Sequence, residues 1–281
     1  MASNRSLPIL VEVAKSFMDT QLSAIILGLV QGLTEFLPVS SSGHQIITSH
    51  LLGLTSDTVK TFEVVIQLGS ILAVVVVYWQ RFLGLLNFKA KERFSGFRGL
   101  YLLFLTCLPA SLVGLLAHDY ITTHLFNPVS VALALAVGAL FILYAEHKGE
   151  EDTYESVDEL TPKAALGIGC FQCLSLWPGF SRSTSTIMGG MLLGAKRTVA
   201  AEYSFLAAVP IMFAATGFVL LKAYKYLSVD DIPFFLTGSA VAFVSSLAAI
   251  KILLKLISHT SFRLFAWYRL AIAPLVYFYF Y

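Results

Sequence analysis

The chain has 281 residues, 57% of them hydrophobic and only 13% charged, with a mean hydropathy of +0.77 and a formal net charge of +2. Soluble domains carry about 25% charged residues, so this composition excludes a soluble enzyme and predicts an integral membrane protein. The net charge is too small to argue for nucleic acid, and no such partner is expected, because the basic residues fall in loops where the positive-inside rule accounts for them. Cys107, Cys170 and Cys173 lie in apolar segments, and the Cys170-Phe171-Gln172-Cys173 spacing has no second ligand pair, which argues against zinc or disulfide chemistry. The first twenty residues lack the pattern of a cleaved signal peptide, so the spans themselves are expected to direct insertion.

Residues 22–36 are apolar but shorter than the roughly 20 residues a span needs, and they end at Pro38. A second short segment over 40–53 follows, so the pair predicts a re-entrant helix-loop-helix over 22–53. Irregular backbone of that kind is tolerated at depth only beside a polar cavity or under cover of protein. Longer segments at 61–80, 100–117 and 129–146 are each expected to span, with Pro109 as a kink, and residues 147–162 form a polar linker. Residues 163–177 and 181–195 are again two short halves, giving a second re-entrant unit over 163–195, and are followed by segments at 201–223, 233–256 and 263–281.

Laying residues 28–42 over 169–183 matches glycine, glutamine, leucine, an aromatic and two serines in register. The predicted architecture is therefore an all-α inverted-topology repeat in a single membrane domain. Each repeat, about 22–146 and about 163–281, has one re-entrant unit and three transmembrane helices. An odd number of spans per repeat inverts the second copy and places the site near the midplane, where the copies meet. If both termini lie outside, Arg81, Lys89, Lys91, Arg93, Arg98, Lys148, Lys163, Lys196, Arg197, Lys251, Lys255 and Arg263 fall inside, against Arg5, Lys15, Lys60, Lys222 and Lys225 outside. That asymmetry sets the expected orientation.

The stretch Gly179-Phe180-Ser181-Arg182-Ser183-Thr184-Ser185-Thr186 carries an arginine among hydroxyls inside an apolar region. A charge at mid-membrane costs roughly 2.5–3.5 kcal/mol on insertion scales, so a retained one generally lines a cavity. Pro178 and Gly179 break one helix and Ser181 or Ser183 caps the next. Arg182 is thereby expected at a helix N-terminus, which describes a phosphate cradle. In the first re-entrant unit, Gln31 and Glu35 share one helix face, and Ser41 and His44 share another, with Ser40 beside them. Glu35 can serve as base or metal ligand, Ser41 as nucleophile, and His44 as base or as acid on a leaving group. Glu63 and Gln67 share a face of one span, where they either line the cavity or bind helices together, and Arg269 is expected to pair with Glu202.

Gln31-Gly-Leu-Thr-Glu35-Phe-Leu-Pro-Val-Ser-Ser-Ser-Gly-His44, together with Pro178-Gly-Phe-Ser-Arg182-Ser-Thr-Ser-Thr186, resembles the undecaprenyl-diphosphate phosphatase family, also called the bacitracin-resistance family. The resemblance covers nearly the whole chain, including Thr61-Phe-Glu-Val-Val-Ile-Gln67 and Asn127-Pro128. It implies hydrolysis of the C55 isoprenoid diphosphate to its monophosphate in the bacterial inner membrane, with a site open to the periplasmic side. It further implies a divalent cation, Mg2+ or Ca2+, held at Glu35. Carried onto this chain, the acidic motif falls on Gln31 and Glu35, the catalytic serine and histidine on Ser41 and His44, and the phosphate loop on Ser181, Arg182, Ser183 and Thr186. The first acidic position, often glutamate, is here Gln31, which departs from a metal site built on two carboxylates. The expected partners are the polyprenyl diphosphate and membrane lipids, with a homodimer left open. Broken helices in inverted repeats also serve secondary transporters, so a polyprenyl-phosphate flippase is the alternative.

Overall fold

The structure, a computed structural model, describes residues 6–89, 94–125, 127–148 and 153–280. Arg5, Lys91 and Arg93 of the orientation argument, residues 149–152 of the expected linker and Tyr281 lie outside the described residues. The described chain is helical throughout apart from turns and one isolated bridge between Tyr154 and Ala195.

Helix α1 runs over Ser6–Thr34, longer than the apolar segment expected from residue 22. Glu12, Lys15 and Asp19 end the apolar run in the sequence, yet the backbone is already helical there. Turn residues 35–39 lead to α2 (Ser41–Leu51). The expected 61–80 span is three stacked pieces, α3 (Asp57–Val65), α4 (Gln67–Val77) and α5 (Trp79–Leu85), interrupted at Ile66 and Tyr78. Next comes α6 (Gly96–Leu116), with Pro109 inside it. The expected loop at 118–128 holds a helical turn, α7 (His118–Tyr120), and a π-helical turn over Ile121–Leu125, before α8 (Pro128–Lys148).

Thr161 caps α9 (Pro162–Gln172) by accepting from the Ala164 N–H, and Pro162 takes a first-turn position, where its missing donor costs nothing. A 3-10 turn over Cys173–Leu176 and a bend lead to α10 (Arg182–Leu192). The chain closes with α11 (Arg197–Ala223), α12 (Ile232–Ile257) and α13 (Arg263–Phe280).

Five stretches among the described residues are long and apolar enough to cross a membrane: Asp57–Val77, Gly96–Leu116, Val129–Lys148, Arg197–Ala223 and Val229–Ile257. α13, expected as another span, is not among them; it carries Arg263 and Arg269 along an aromatic-rich helix. Large apolar side chains stand exposed on these elements, among them Leu116 at 88%, Leu221 at 75% and Phe278 at 75%. Only a hydrocarbon solvent makes that surface favourable, so this is a multi-pass, all-α membrane protein.

The unit of α1 and α2 meets that of α9 and α10 at their turns, where Glu35 pairs with Arg182 and Ser183 donates to the Leu37 carbonyl. α12 packs on α1 and α4, α13 on α8, and α6 on α9, while α10 lies among α8, α9 and α11. One end of the molecule is tied by charge. Arg81 pairs with Asp158 at 3.0 Å and Glu202 at 3.0 Å, and Arg197 pairs with Glu146 at 2.7 Å. Burial pushes the Asp158 carboxyl up, but hydrogen bonds from the Phe94 N–H and the Arg81 guanidinium outweigh it and hold the pKa below its ordinary value. The expected Arg269–Glu202 pair is therefore not formed: Glu202 belongs to Arg81, and Arg269 is engaged elsewhere.

Candidate active site

Two serines with positive φ start the two short helices. Ser40, with φ 74°, precedes α2 and accepts from the Gly43 N–H at 3.3 Å; Ser181, with φ 82°, precedes α10 and accepts from the Thr184 N–H at 3.3 Å. Such a backbone costs roughly 1–3 kcal/mol in a residue other than glycine and persists only where its surroundings enforce it. Each turn throws the next side chain, Ser41 or Arg182, into a cavity of about 110 Å³. Its lining comes from both units: Glu35, Ser41 and Ser42 from the first, and Ser175, Pro178, Gly179, Ser181 and Arg182 from the second. Gln67 and Met212 complete it.

Glu35 is the hub. Its Oε1 accepts from Arg182 Nη2 at 3.1 Å, and its Oε2 accepts from Ser41 Oγ at 2.8 Å and from Gln31 Nε2 at 2.8 Å. Gln31 is fully buried, and its carbonyl accepts from Gln45 Nε2 at 3.3 Å. Arg182 also donates through Nη1 to the carbonyl and hydroxyl of Ser204, at 3.1 and 3.2 Å, while its buried Nε has no partner. A buried donor without an acceptor at a cavity wall is what an anionic oxygen would complete.

The other expected residues stand one layer back. Ser183 donates to the Leu37 carbonyl at 3.0 Å, tying the two units together. Thr186 bonds the Arg182 carbonyl at 2.9 Å and Ser204 at 2.7 Å, and both side chains are buried. His44 makes no hydrogen bond to Ser41. Its Nδ1 lies 2.8 Å from the Ser40 carbonyl and its Nε2 2.6 Å from the Tyr268 hydroxyl, whose ring is stacked on the imidazole.

Behind the cavity, Arg269 is fully buried and has no carboxylate partner among the described residues. Its guanidinium donates to the carbonyls of Pro38, Ala134, Leu135, Gly179 and Phe180 and to the Thr184 hydroxyl, at 2.8–3.3 Å. It therefore pins the turns of both units to α8. Gly138 leaves room for it, since a Cβ there would strike Arg269 Nη2. Gly179, at φ 97°, also needs its missing Cβ, which would lie 2.6 Å from the Val131 carbonyl.

Sequence reasoning missed Tyr268, Ser204 and Gln45, and gave Arg269 the wrong partner. Their only signal was a polar group in an apolar span, which marks a contact without naming the other side. It left Glu63 and Gln67 undivided between two roles, and the structure separates them. Glu63 accepts from the Ser49 hydroxyl and so binds helices, while Gln67 lines the cavity.

Comparison with known proteins places this arrangement. Residues 24–275 match the family described as Bacitracin resistance protein BacA. The chain belongs to that bacitracin resistance family. The match spans every residue of the cavity and the Arg269 clamp. The family relatives include proteins named undecaprenyl-diphosphatase from Maridesulfovibrio salexigens, 63% identical over 93% of this chain and 99% of its own length, and from Nitratidesulfovibrio vulgaris strain DP4, 62% identical over the same shares. A third, of the same name, from Lawsonia intracellularis, is 55% identical over 90% of this chain and 96% of its own.

Proposed function

We propose that this protein hydrolyses undecaprenyl diphosphate to undecaprenyl phosphate and inorganic phosphate, recycling the lipid carrier of cell-envelope polymers and giving bacitracin resistance. Family membership and the relatives' shared name support the activity. The observation that carries the chemistry is the Glu35 carboxylate, bonded on one oxygen to Arg182 and on the other to Ser41.

In this reading Glu35 takes the Ser41 proton as Ser41 Oγ attacks the terminal phosphorus. The new bond is from Oγ to phosphorus. The bond that breaks joins that phosphorus to the bridging oxygen, whose electron pair leaves with undecaprenyl phosphate. Glu35 passes that proton to the departing phosphate, then takes one from the water that splits the seryl phosphate and returns it to Ser41 Oγ. Arg182 and the N-terminal end of α10 hold the phosphoryl oxygens as charge moves across them. His44 holds the Ser40 carbonyl and so the strained turn that aims Ser41.

The donor set suits a hard cation brought by the substrate. Among the described residues no three His, Cys, Asp or Glu side chains gather; the cavity offers the Glu35 carboxylate, serine hydroxyls and the Gln67 amide, beside the Arg182 guanidinium that pairs with Glu35. Magnesium is commonly bound by one or two carboxylates plus substrate phosphates, so Glu35 and the diphosphate would share Mg2+ or Ca2+. A bound cation would neutralise phosphate charge.

The finer architecture belongs to the same proposal: an inverted repeat over about 22–146 and 163–281, joined by the linker 147–162, in the bacterial inner membrane with the cavity facing the periplasm. The paired serine caps support it, because Ser40 and Ser181 occupy matching positions in the two copies. A flippase would need the Arg182 cradle but no proton acceptor on Ser41, so the Glu35–Ser41 bond favours the enzyme. The deciding experiment is phosphate release from a polyprenyl diphosphate by the purified protein in detergent, with and without chelator. Release that chelator abolishes is expected. Binding without release would sink the phosphatase reading.

A further inference from the structure

Gln67 enters the cavity from outside both helix-turn-helix units. It is the first residue of α4, directly after the interruption at Ile66. There the helix tightens, with the Gly69 N–H reaching back only three residues to the Ile66 carbonyl at 3.1 Å. Thr216 of α11 donates to the Val64 carbonyl beside the break at 3.4 Å. On an uninterrupted helix Glu63 and Gln67 would share one face, but here Glu63 turns to Ser49 and Gln67 to the cavity.

The amides of Gln31, Gln45 and Gln172 all donate to protein oxygens. The Gln67 side chain makes no hydrogen bond to any described residue. An amide left over at a polar cavity, two-donor and one-acceptor in character, is a ready contact for a phosphate oxygen. Its neighbour in the lining, Met212, belongs to an apolar cluster with Ile71 and Ala208, flanked by Leu68 and Ile211 where α4 packs on α11. This wall is thus where the polar cavity meets an apolar part of the protein interior.

We infer that Gln67 is a substrate-binding residue that donates to the lipid-side phosphate of an isoprenyl diphosphate, with Met212 against the first isoprenyl carbons. The inference rests on the phosphatase reading for its substrate class. It divides the site into two halves: Arg182 and the start of α10 hold the phosphoryl group that departs as inorganic phosphate, and Gln67 with Met212 holds the phosphate that stays on the lipid. The amide is neutral, so it distinguishes the ester phosphate by position and hydrogen bonding without adding charge that would trap the product.

The test is calorimetric binding of two probes, farnesyl monophosphate and inorganic phosphate, to the full chain in detergent, alongside turnover of farnesyl diphosphate. Gln67→Met keeps the side-chain volume and removes the amide. It should weaken farnesyl monophosphate roughly tenfold, the size expected for a hydrogen bond to a charged group, and leave inorganic phosphate within about twofold. Gln67→Glu should weaken the lipid phosphate further by repulsion. Thermal unfolding should be unchanged in Gln67→Met, because no protein partner is lost. Unaltered farnesyl monophosphate binding in both variants, or equal losses for both probes, would overturn the assignment. If the wild-type protein binds both probes without turning over the diphosphate, the phosphatase reading falls while the binding comparison still judges Gln67.

Discussion

Arg182 and Glu35 lie in different helix-turn-helix units and meet at 3.1 Å, so the pair both closes the interface between the units and sets the charge of the cavity. Glu35 balances the arginine's charge before any substrate arrives, so the pair presents an incoming anion with no net charge. A diphosphate must compete for the guanidinium, and the unpartnered Nε gives it a donor that Glu35 does not use.

The first prediction follows from that geometry. Lysine cannot present a planar fork to Glu35, Ser204 and a phosphate at once. Arg182→Lys should lower phosphate release by roughly 10²-fold or more while the protein still inserts and purifies. A lysine variant with near-normal turnover would reduce Arg182 to a source of positive field.

The second concerns proton flow. Ser41 donates to Glu35 and not to His44, so Ser41→Ala should abolish turnover with substrate binding largely kept, and Glu35→Gln should abolish turnover as well. His44, held between Ser40 and Tyr268, should matter less. Tyr268→Phe should slow turnover by no more than about tenfold, the scale of one hydrogen bond, and His44→Ala by roughly 10²-fold, the scale of a misaimed nucleophile. Substantial phosphate release by Ser41→Ala would instead make water the attacker.

Much of this was legible because the membrane makes polarity costly. Glu35 and Arg182 stood out as charges in apolar surroundings, and the doubled serines at 40–42 and 181–183 marked the helix starts that the structure caps in matching ways. What sequence could not supply was the identity of partners far along the chain. Arg269 was expected to seek a carboxylate, yet it is satisfied by carbonyls that irregular turns leave free, and no local pattern encodes those. The interruptions at Ile66 and Tyr78 were equally hidden, since an apolar run has the same composition whether or not its helix is continuous.

The third prediction tests that clamp. Arg269→Met removes the partner of five carbonyls and a hydroxyl at once, and each buried acceptor left unpaired costs about 1–3 kcal/mol. Partial relaxation should leave a loss of roughly 3 kcal/mol, or about 10 °C in Tm. Because Pro38, Gly179 and Phe180 carry the turns that aim Ser41 and Arg182, any folded Arg269→Lys protein should lose kcat more than KM. A variant with wild-type Tm and turnover would refute the role.

The fourth is a pH dependence at the charged end. The folded pKa of Asp158 is depressed, so its stabilisation is fully present above the unfolded value of about 4 and is lost as pH falls through the folded value. Asp158→Asn should therefore lower Tm at pH 7 by the equivalent of roughly 1 kcal/mol, and the gap to wild type should narrow only below about pH 4. A gap that disappears already at pH 6 would assign the effect to another group.

The last concerns Gln31, the place where a second carboxylate would complete a metal site. Its Nε2 donates to Glu35 Oε2 and its carbonyl accepts from Gln45, so the amide is fixed in one orientation by both neighbours. Gln31→Glu removes the donor and sets two buried carboxylates against each other, with only Arg182 to balance them. A divalent cation relieves that repulsion better than it relieves Glu35 alone, so the variant should need less metal for half-maximal turnover. The added negative charge also opposes an anionic substrate, so KM should rise. Glu35→Gln should remove the metal response together with turnover. Metal titrations unchanged in Gln31→Glu, measured by phosphate release against added Mg2+ or Ca2+, would move the cation away from this carboxylate and leave Glu35 as the proton acceptor alone.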